Sequence, residues 1–168
     1  MVEESGLAAL AARLSAARDD LLRLEAAVTA GAPWPLSDHF GVEPEAHWGP
    51  PETLAHLAEM IPYWTGEMAR VLDASEDPVP FGRVASDRLR IGVLERDRSL
   101  PPGELFDRID AAVARLLRRI ATLGPDEISR QGIHSTLGAF PLVGILESFV
   151  VRHLEEHVGQ LRAAVNAG

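Results

Sequence analysis

An all-α fold, a four-helix bundle with long crossover connections, is what this sequence predicts. Apolar residues recur at helical spacing in four separate stretches of the 168-residue chain. The stretches are joined by long connections dense in Pro and Gly. No stretch shows a persuasive strand alternation. Together these point to four main helices that are not joined as a simple up-down-up-down bundle.

The first helix is expected after Ser5, an N-cap residue type. Leu7, Leu10, Leu14, Ala17, Leu21, Leu24 and Val28 then follow at alternating three- and four-residue steps. That spacing makes a left-handed bundle seam. Gly31 and Pro33 end the helix. The connection 32–50 carries Pro33, Pro35, Gly41, Pro44, Gly49 and Pro50. Its Trp34, Phe40 and Trp48 are expected to pack over one end of the bundle.

A second helix begins near Pro51, with Glu52 well placed against the helix dipole. Leu54, Leu57, Ile61, Trp64 and Met68 form its apolar face, with His56 at the edge. Pro62 is expected to kink it. Another long connection follows, 74–102, in which 77–82 reads as loop. A short helix over 86–96 is expected to turn Leu89, Val93 and Leu94 inward. The third main helix starts near Pro102, repeats through Leu105, Phe106, Ile109, Val113, Leu116, Leu117 and Ile120, and stops at Gly124-Pro125. Residues 131–142 read as loop, and the fourth helix runs from about Pro141 to Val165.

At this length, and with neither a repeat nor a dividing linker, residues 1–168 are expected to form one domain. The 46% hydrophobic and 24% charged residues fit a soluble protein. No signal peptide is legible and no apolar run is long enough to span a bilayer, so the expectation is a cytoplasmic protein without a membrane partner. Every basic residue is Arg, and the net charge is −9. An acidic chain without a basic cluster argues against nucleic-acid binding. The lack of Lys beside abundant Ala, Arg and Gly suggests a GC-rich bacterial genome. Cysteine is absent, which removes disulfides, thiolate ligands and a cysteine nucleophile. Any transferable thiol has to arrive as a co-substrate.

The chemistry concentrates in the fourth helix. His153 and His157 stack one turn apart, and Gln160 falls within roughly 20° of His153 on the same face. The same stripe carries Leu142, Leu146, Phe149, Val150 and Ala164, so both imidazoles point toward neighbouring helices. Buried imidazoles need partners, and a shared metal ion is one that two can use. Leu154 stands where a zincin motif needs its general-base Glu, which excludes that protease class. Glu155 reads as pointing to solvent and Glu156 as flanking the stripe.

A metal site needs a third ligand from another helix. His56 is the candidate; the bland account makes it an interfacial His bonded to a carbonyl. His39, His47 and His134 fall in loops, with His134 close enough to the fourth helix to reach a site mouth. Glu59, Glu67 and Glu156 are candidate carboxylates, each with a solvated helix face as its ordinary explanation. Trp48, Met60, Tyr63, Trp64 and Met68 read as core plugs before they read as a substrate platform. There is no Gly-rich phosphate loop, nucleophile elbow or calcium-type Asp loop.

Trp48 followed by Pro51-Glu52-Thr53-Leu54-Ala55-His56-Leu57 resembles the second-helix signature of the DinB/YfiT-like superfamily. Gly138 and Pro141, then His153-x-x-x-His157-x-x-Gln160-Leu161, resemble its fourth-helix signature. The match covers most of the chain in its order. The resemblance implies a four-helix bundle with a long crossover and a divalent metal held by His56, His153 and His157. Zinc or nickel suits three imidazoles. The family is often dimeric, so a homodimer is expected with it. Its assigned members include metal-dependent transferases of small thiols and a related isomerase; others are described as hydrolases. The implied function is a metal-dependent thiol S-transferase acting on a small-molecule substrate. A metal-dependent hydrolase and a non-catalytic, stress-related metal-binding bundle are the alternatives.

Overall fold

A computed structural model of the chain describes residues 2–76 and 78–167, with side chains from residue 6 onward. Asp77, part of the expected 77–82 loop, lies outside the described residues. The protein is mostly helical. Helix α1 (Val2–Ala30) is followed by α2 (Pro50–Asp73), β1 (Val79–Phe81), α3 (Arg88–Asp97) and α4 (Pro102–Ile120). Then come α5 (Pro125–Ile128), β2 (Gln131–His134), β3 (Gly138–Pro141), α6 (Leu142–Leu146) and α7 (Arg152–Ala167). A π-turn (Glu147–Val151) makes α6 and α7 one continuous helical run. Ser5 sits inside α1, so the helix starts before the expected cap.

Each long helix buries the stripe its spacing defines. In α1, Leu7, Leu10, Leu14, Ala17, Leu21 and Val28 are buried and Leu24 is half-buried. In α4, Leu105, Phe106, Ile109, Val113, Leu116 and Ile120 are buried. Helix α1 packs on α4 and α7, and α2 packs on the same two. The α2–α7 contact is the one that matters for the site, because it brings His56 opposite the two C-terminal histidines. Pro62 lies inside α2 on an exposed position, and the helix continues through it to Asp73. No helix among the described residues is long and apolar enough to cross a membrane.

The stretches read as loops include a small sheet. Strand β1 pairs parallel with β2, Phe81 opposite His134, and β2 pairs antiparallel with β3, His134 opposite Gly138. The alternation was invisible because its inward positions on β2 are Gly132 and His134, not aliphatic residues. Gly132 is required there: a Cβ would stand 2.5 Å from the Phe81 ring. Pro80 is tolerated because β1 is an edge strand.

Helix α3 also departs from expectation. Its inward residues are Arg90, Leu94 and Asp97, whereas Leu89 is 80% exposed. The helix begins at an Asp87 cap whose side chain accepts from Arg90 N, and that phase turns Arg90 inward. The 31–49 connection is pinned at one end of the bundle, as its aromatic residues imply. Trp34 Nε1 donates to Val28 O at 2.7 Å. Arg98 Nη1 donates to Ser37 O at 2.8 Å and to Glu52 Oε1 at 3.0 Å. Ser37 N donates to the same Glu52 oxygen.

Candidate metal centre

His56 and His157 are buried, and the His153 side chain is 30% exposed. His56 Nε2 lies 2.9 Å from His153 Nε2, and His157 Nε2 lies 3.1 Å from it. The three rings meet edge to face, with centroids 4.7 to 5.1 Å apart. The structure therefore brings together all three histidines named from the sequence.

It also adds a donor the sequence did not reveal. A 3-10 turn, Glu45–His47, in the α1–α2 connection carries Glu45 into the cluster. Glu45 Oε2 stands 3.2 Å from His153 Nε2, 3.6 Å from His157 Nε2 and 3.7 Å from His56 Nε2. These four side chains form a group that could hold a metal ion. Tetrahedral zinc with bonds of about 2.0–2.1 Å needs donor atoms about 3.3 Å apart. The five separations given above run from 2.9 to 3.7 Å.

Proton counting points the same way. Gln160 Nε2 donates to the backbone oxygens of Glu45 (2.9 Å) and Trp48 (2.8 Å). That fixes the amide, so Gln160 Oε1 faces His157 Nδ1 at 2.9 Å and accepts its proton. With one proton held at Nδ1, the His157 ring has Nε2 as its available donor atom for a metal ion. His153 Nε2 has three close neighbours, His56 Nε2, His157 Nε2 and Glu45 Oε2, and one proton at most. One proton cannot serve all three contacts, whereas a central cation binds every lone pair at once. Arg90 Nη2 is 3.5 Å from His56 Nδ1, too long to set that ring's tautomer.

Charge is arranged around the donors. Burial alone would push the Glu45 carboxyl up, but His153, His157, His56 and Arg90 outweigh it and hold it below the usual carboxylate range. Arg90 Nη2 also donates to Glu45 Oε1, which leaves Oε2 facing the imidazoles. Burial is the largest cause holding His56 well below its ordinary value; His157, His153 and Arg90 act with it and Glu45 against it. Proton competition for its donor nitrogen is thereby reduced.

Two cavities are bordered by histidines of the cluster. A cavity of about 150 Å³ is bordered by Glu45, His56, His153, Trp64, Arg83 and Phe149, among others. A second, of about 280 Å³, is bordered by Glu45, His153, Glu156, His157 and Gln160. The π-turn helps shape the first. It places Phe149 4.5 Å from the Trp64 ring and in a stack with His134, one turn ahead of His153.

The other sequence candidates lie elsewhere. His134 is on β2, buried and satisfied: Thr136 N donates to its Nδ1, so its Nε2 donates to Arg83 O at 3.2 Å. His39 and His47 are exposed. Glu59 pairs with Arg83, and Glu67 accepts from Arg70 and Gly82 N. Glu156 is exposed, 4.0 Å from Arg152. Glu155 is not left to solvent: Arg13 of α1 donates to both its oxygens. Glu45 left no signal in the sequence, because a carboxylate in an irregular loop has no periodicity to reveal where it points.

No family model, curated protein or solved structure matches this chain. The fold and site together define a helical protein with a histidine and carboxylate cluster of metal-binding size.

Gln160→Leu removes the acceptor that keeps the proton on His157 Nδ1. Metal affinity is expected to fall about 10- to 100-fold. Competition against a fluorescent zinc chelator measures it, and an unchanged affinity would mean that Gln160 does not set the tautomer.

Proposed function

We propose that this chain is a divalent-metal-dependent enzyme of the DinB/YfiT-like type, acting on a small thiol and an electrophile. His56, His153 and His157 would hold zinc or nickel, with Glu45 as the fourth donor. The observation that carries this is the donor cluster sized for a first-row ion, with two cavities bordered by its histidines. A four-helix bundle with crossovers is supported by the packing, in which α1 and α2 are each flanked by α4 and α7. A homodimer and a cytoplasmic setting with a pool of small thiols go with the same assignment.

When bound, such an ion supplies Lewis acidity that lowers the pKa of a thiol or of water. The chain's own residues do the rest. Glu45 Oε2, the carboxylate oxygen facing the imidazoles, would complete the donor set, and the proton released from the thiol would pass to solvent water through the bordering cavities. Arg90 donates to Oε1 and so keeps Oε2 aimed at the cluster. Trp64 and Phe149 exclude water from one side of the cavity. A hydrolase would use the same residues with water in place of the thiol.

One observation favours a non-catalytic metal-binding role instead: four protein donors suffice to saturate a tetrahedral ion. Elemental analysis of protein purified without an affinity tag, followed by a thiol assay with electrophilic acceptors, separates the two. The chain has no cysteine, so a thiol reagent reads the co-substrate alone. The expected result is about one ion per chain, as one donor cluster implies, and thiol loss that a chelator stops. Full metal content without turnover of thiol or ester substrates would select the non-catalytic role.

A further inference from the structure

The cavity above His56 and His153 has two arginines in its wall, Arg90 from α3 and Arg83 from the turn after β1. Arg90 is committed: Nη1 donates to Ala85 O and Nη2 to Glu45. Arg83 is only partly committed. Its Nη2 donates to Glu59 Oε2 at 2.6 Å, and its guanidinium lies 3.6 Å from the Tyr63 ring centroid. Among the described residues, its Nε and Nη1 have no hydrogen-bond partner. The side chain is only 13% exposed, and Arg83 is one of the residues that border the cavity.

The sheet fixes that edge in place. Arg83 O accepts from His134 Nε2, and Gly82 N donates to Glu67 Oε2 at 2.5 Å. Gly82 turns the chain at φ +84°, where a Cβ would stand 2.5 Å from His134 Cδ2. The β1–β2 pair and His134 are thus the support on which Arg83 is mounted.

Charge then selects the ligand. Glu59 offsets Arg83, and Glu45 offsets Arg90. A divalent ion held by the three histidines and Glu45, whose own charge Arg90 offsets, leaves two positive charges at a half-enclosed cavity. Such an excess is unfavourable unless anions join it. A thiolate supplies one negative charge, and a monoanionic second substrate supplies the other. A phosphate dianion would exceed that balance and would set its charge against the Trp64 and Phe149 rings. The volume of about 150 Å³ is worth about five waters, at about 30 Å³ each, which fits a short-chain acid.

We infer that this cavity is the subsite for a small carboxylate-bearing electrophile. Its acid group sits on the Nε–Nη1 edge of Arg83, its carbon chain lies against Trp64 and Phe149, and its reactive end faces His56 and His153. The assignment rests on the metal-dependent function proposed above.

The test uses the zinc-loaded protein with three probes: crotonate, crotonamide and inorganic phosphate. Ligand-observed saturation-transfer NMR and calorimetry report binding, and zinc content is measured on every sample. Crotonate is expected to bind, with crotonamide at least tenfold weaker. Arg83→Met is expected to weaken crotonate at least tenfold at unchanged zinc content. Arg83→Lys keeps a cation beside Glu59 but loses the planar edge; it is expected to weaken crotonate severalfold and serves alone should the Met variant fail to fold. Equal binding of the amide, wild-type crotonate affinity in a folded Arg83 variant, or displacement of crotonate by equimolar phosphate would overturn the carboxylate subsite. Zinc-loaded protein that ignores crotonate sinks the subsite and leaves the metal centre standing. A chain that takes up no zinc yet binds crotonate through Arg83 sinks the metal centre instead.

Discussion

Replacing His153 by alanine is expected to reduce the bound metal to background while the fold survives. His56 and His157 are buried, so their alanine variants mix loss of a ligand with loss of packing. His153 is 30% exposed and its removal leaves no closed cavity, which makes it the cleaner probe. Three of the four donors would remain, two of them neutral imidazoles without the central His153 nitrogen that lies 2.9 Å from one and 3.1 Å from the other. Metal affinity should drop by more than the 10- to 100-fold expected for loss of a partner that only orients a ligand. Elemental analysis after dialysis against metal-buffered solution reads the effect, and circular dichroism verifies the fold. Full stoichiometry in this variant would remove His153 from the site and with it the thiol-transfer proposal.

The second large effect is on stability. Arg98→Ala is expected to destabilise the protein by about 3 kcal/mol, the lower end of the range for breaking a buried ion pair. Glu52 is fully buried at the first turn of α2, and Arg98 is its cationic partner at 3.0 Å. Removing the guanidinium leaves a carboxylate in the interior with only the Ser37 amide donating to Oε1. It also frees Ser37 O and the face of Phe40, over which the guanidinium lies at 4.7 Å. The lower end is chosen because the Arg98 side chain is 16% exposed and water can partly replace it. Urea unfolding measures the loss. Adding Glu52→Gln to the Arg98 variant should recover part of it, because the unpaired charge is then gone. A double variant no more stable than Arg98→Ala would place the effect in the loop contacts and not in the charge pair. Ser37 and Phe40 lie in the connection that carries Glu45, so looser metal binding in Arg98→Ala would link the Arg98–Glu52 pair to the site.

The sequence by itself determined the helices and two corners of the site. The Leu7 to Val28 and Leu105 to Ile120 stripes face the core, with Leu24 and Leu117 only half-buried at their edges, because a helix converts a three-four repeat into one face whatever lies opposite. His153 and His157 were legible for the same reason: four residues is one turn, so their convergence is a local property of one helix. Only the tertiary structure decided the rest. Whether His56 meets them depends on how α2 and α7 pack, and Glu45 and Arg83 depend on irregular backbone held by Gln160 and His134. Such backbone repeats nothing, so its side-chain directions are set by distant partners. The little sheet escaped for a related cause: the inward residues of β2 are a glycine, which has no side chain to mark a face, and a histidine, which does not read as core.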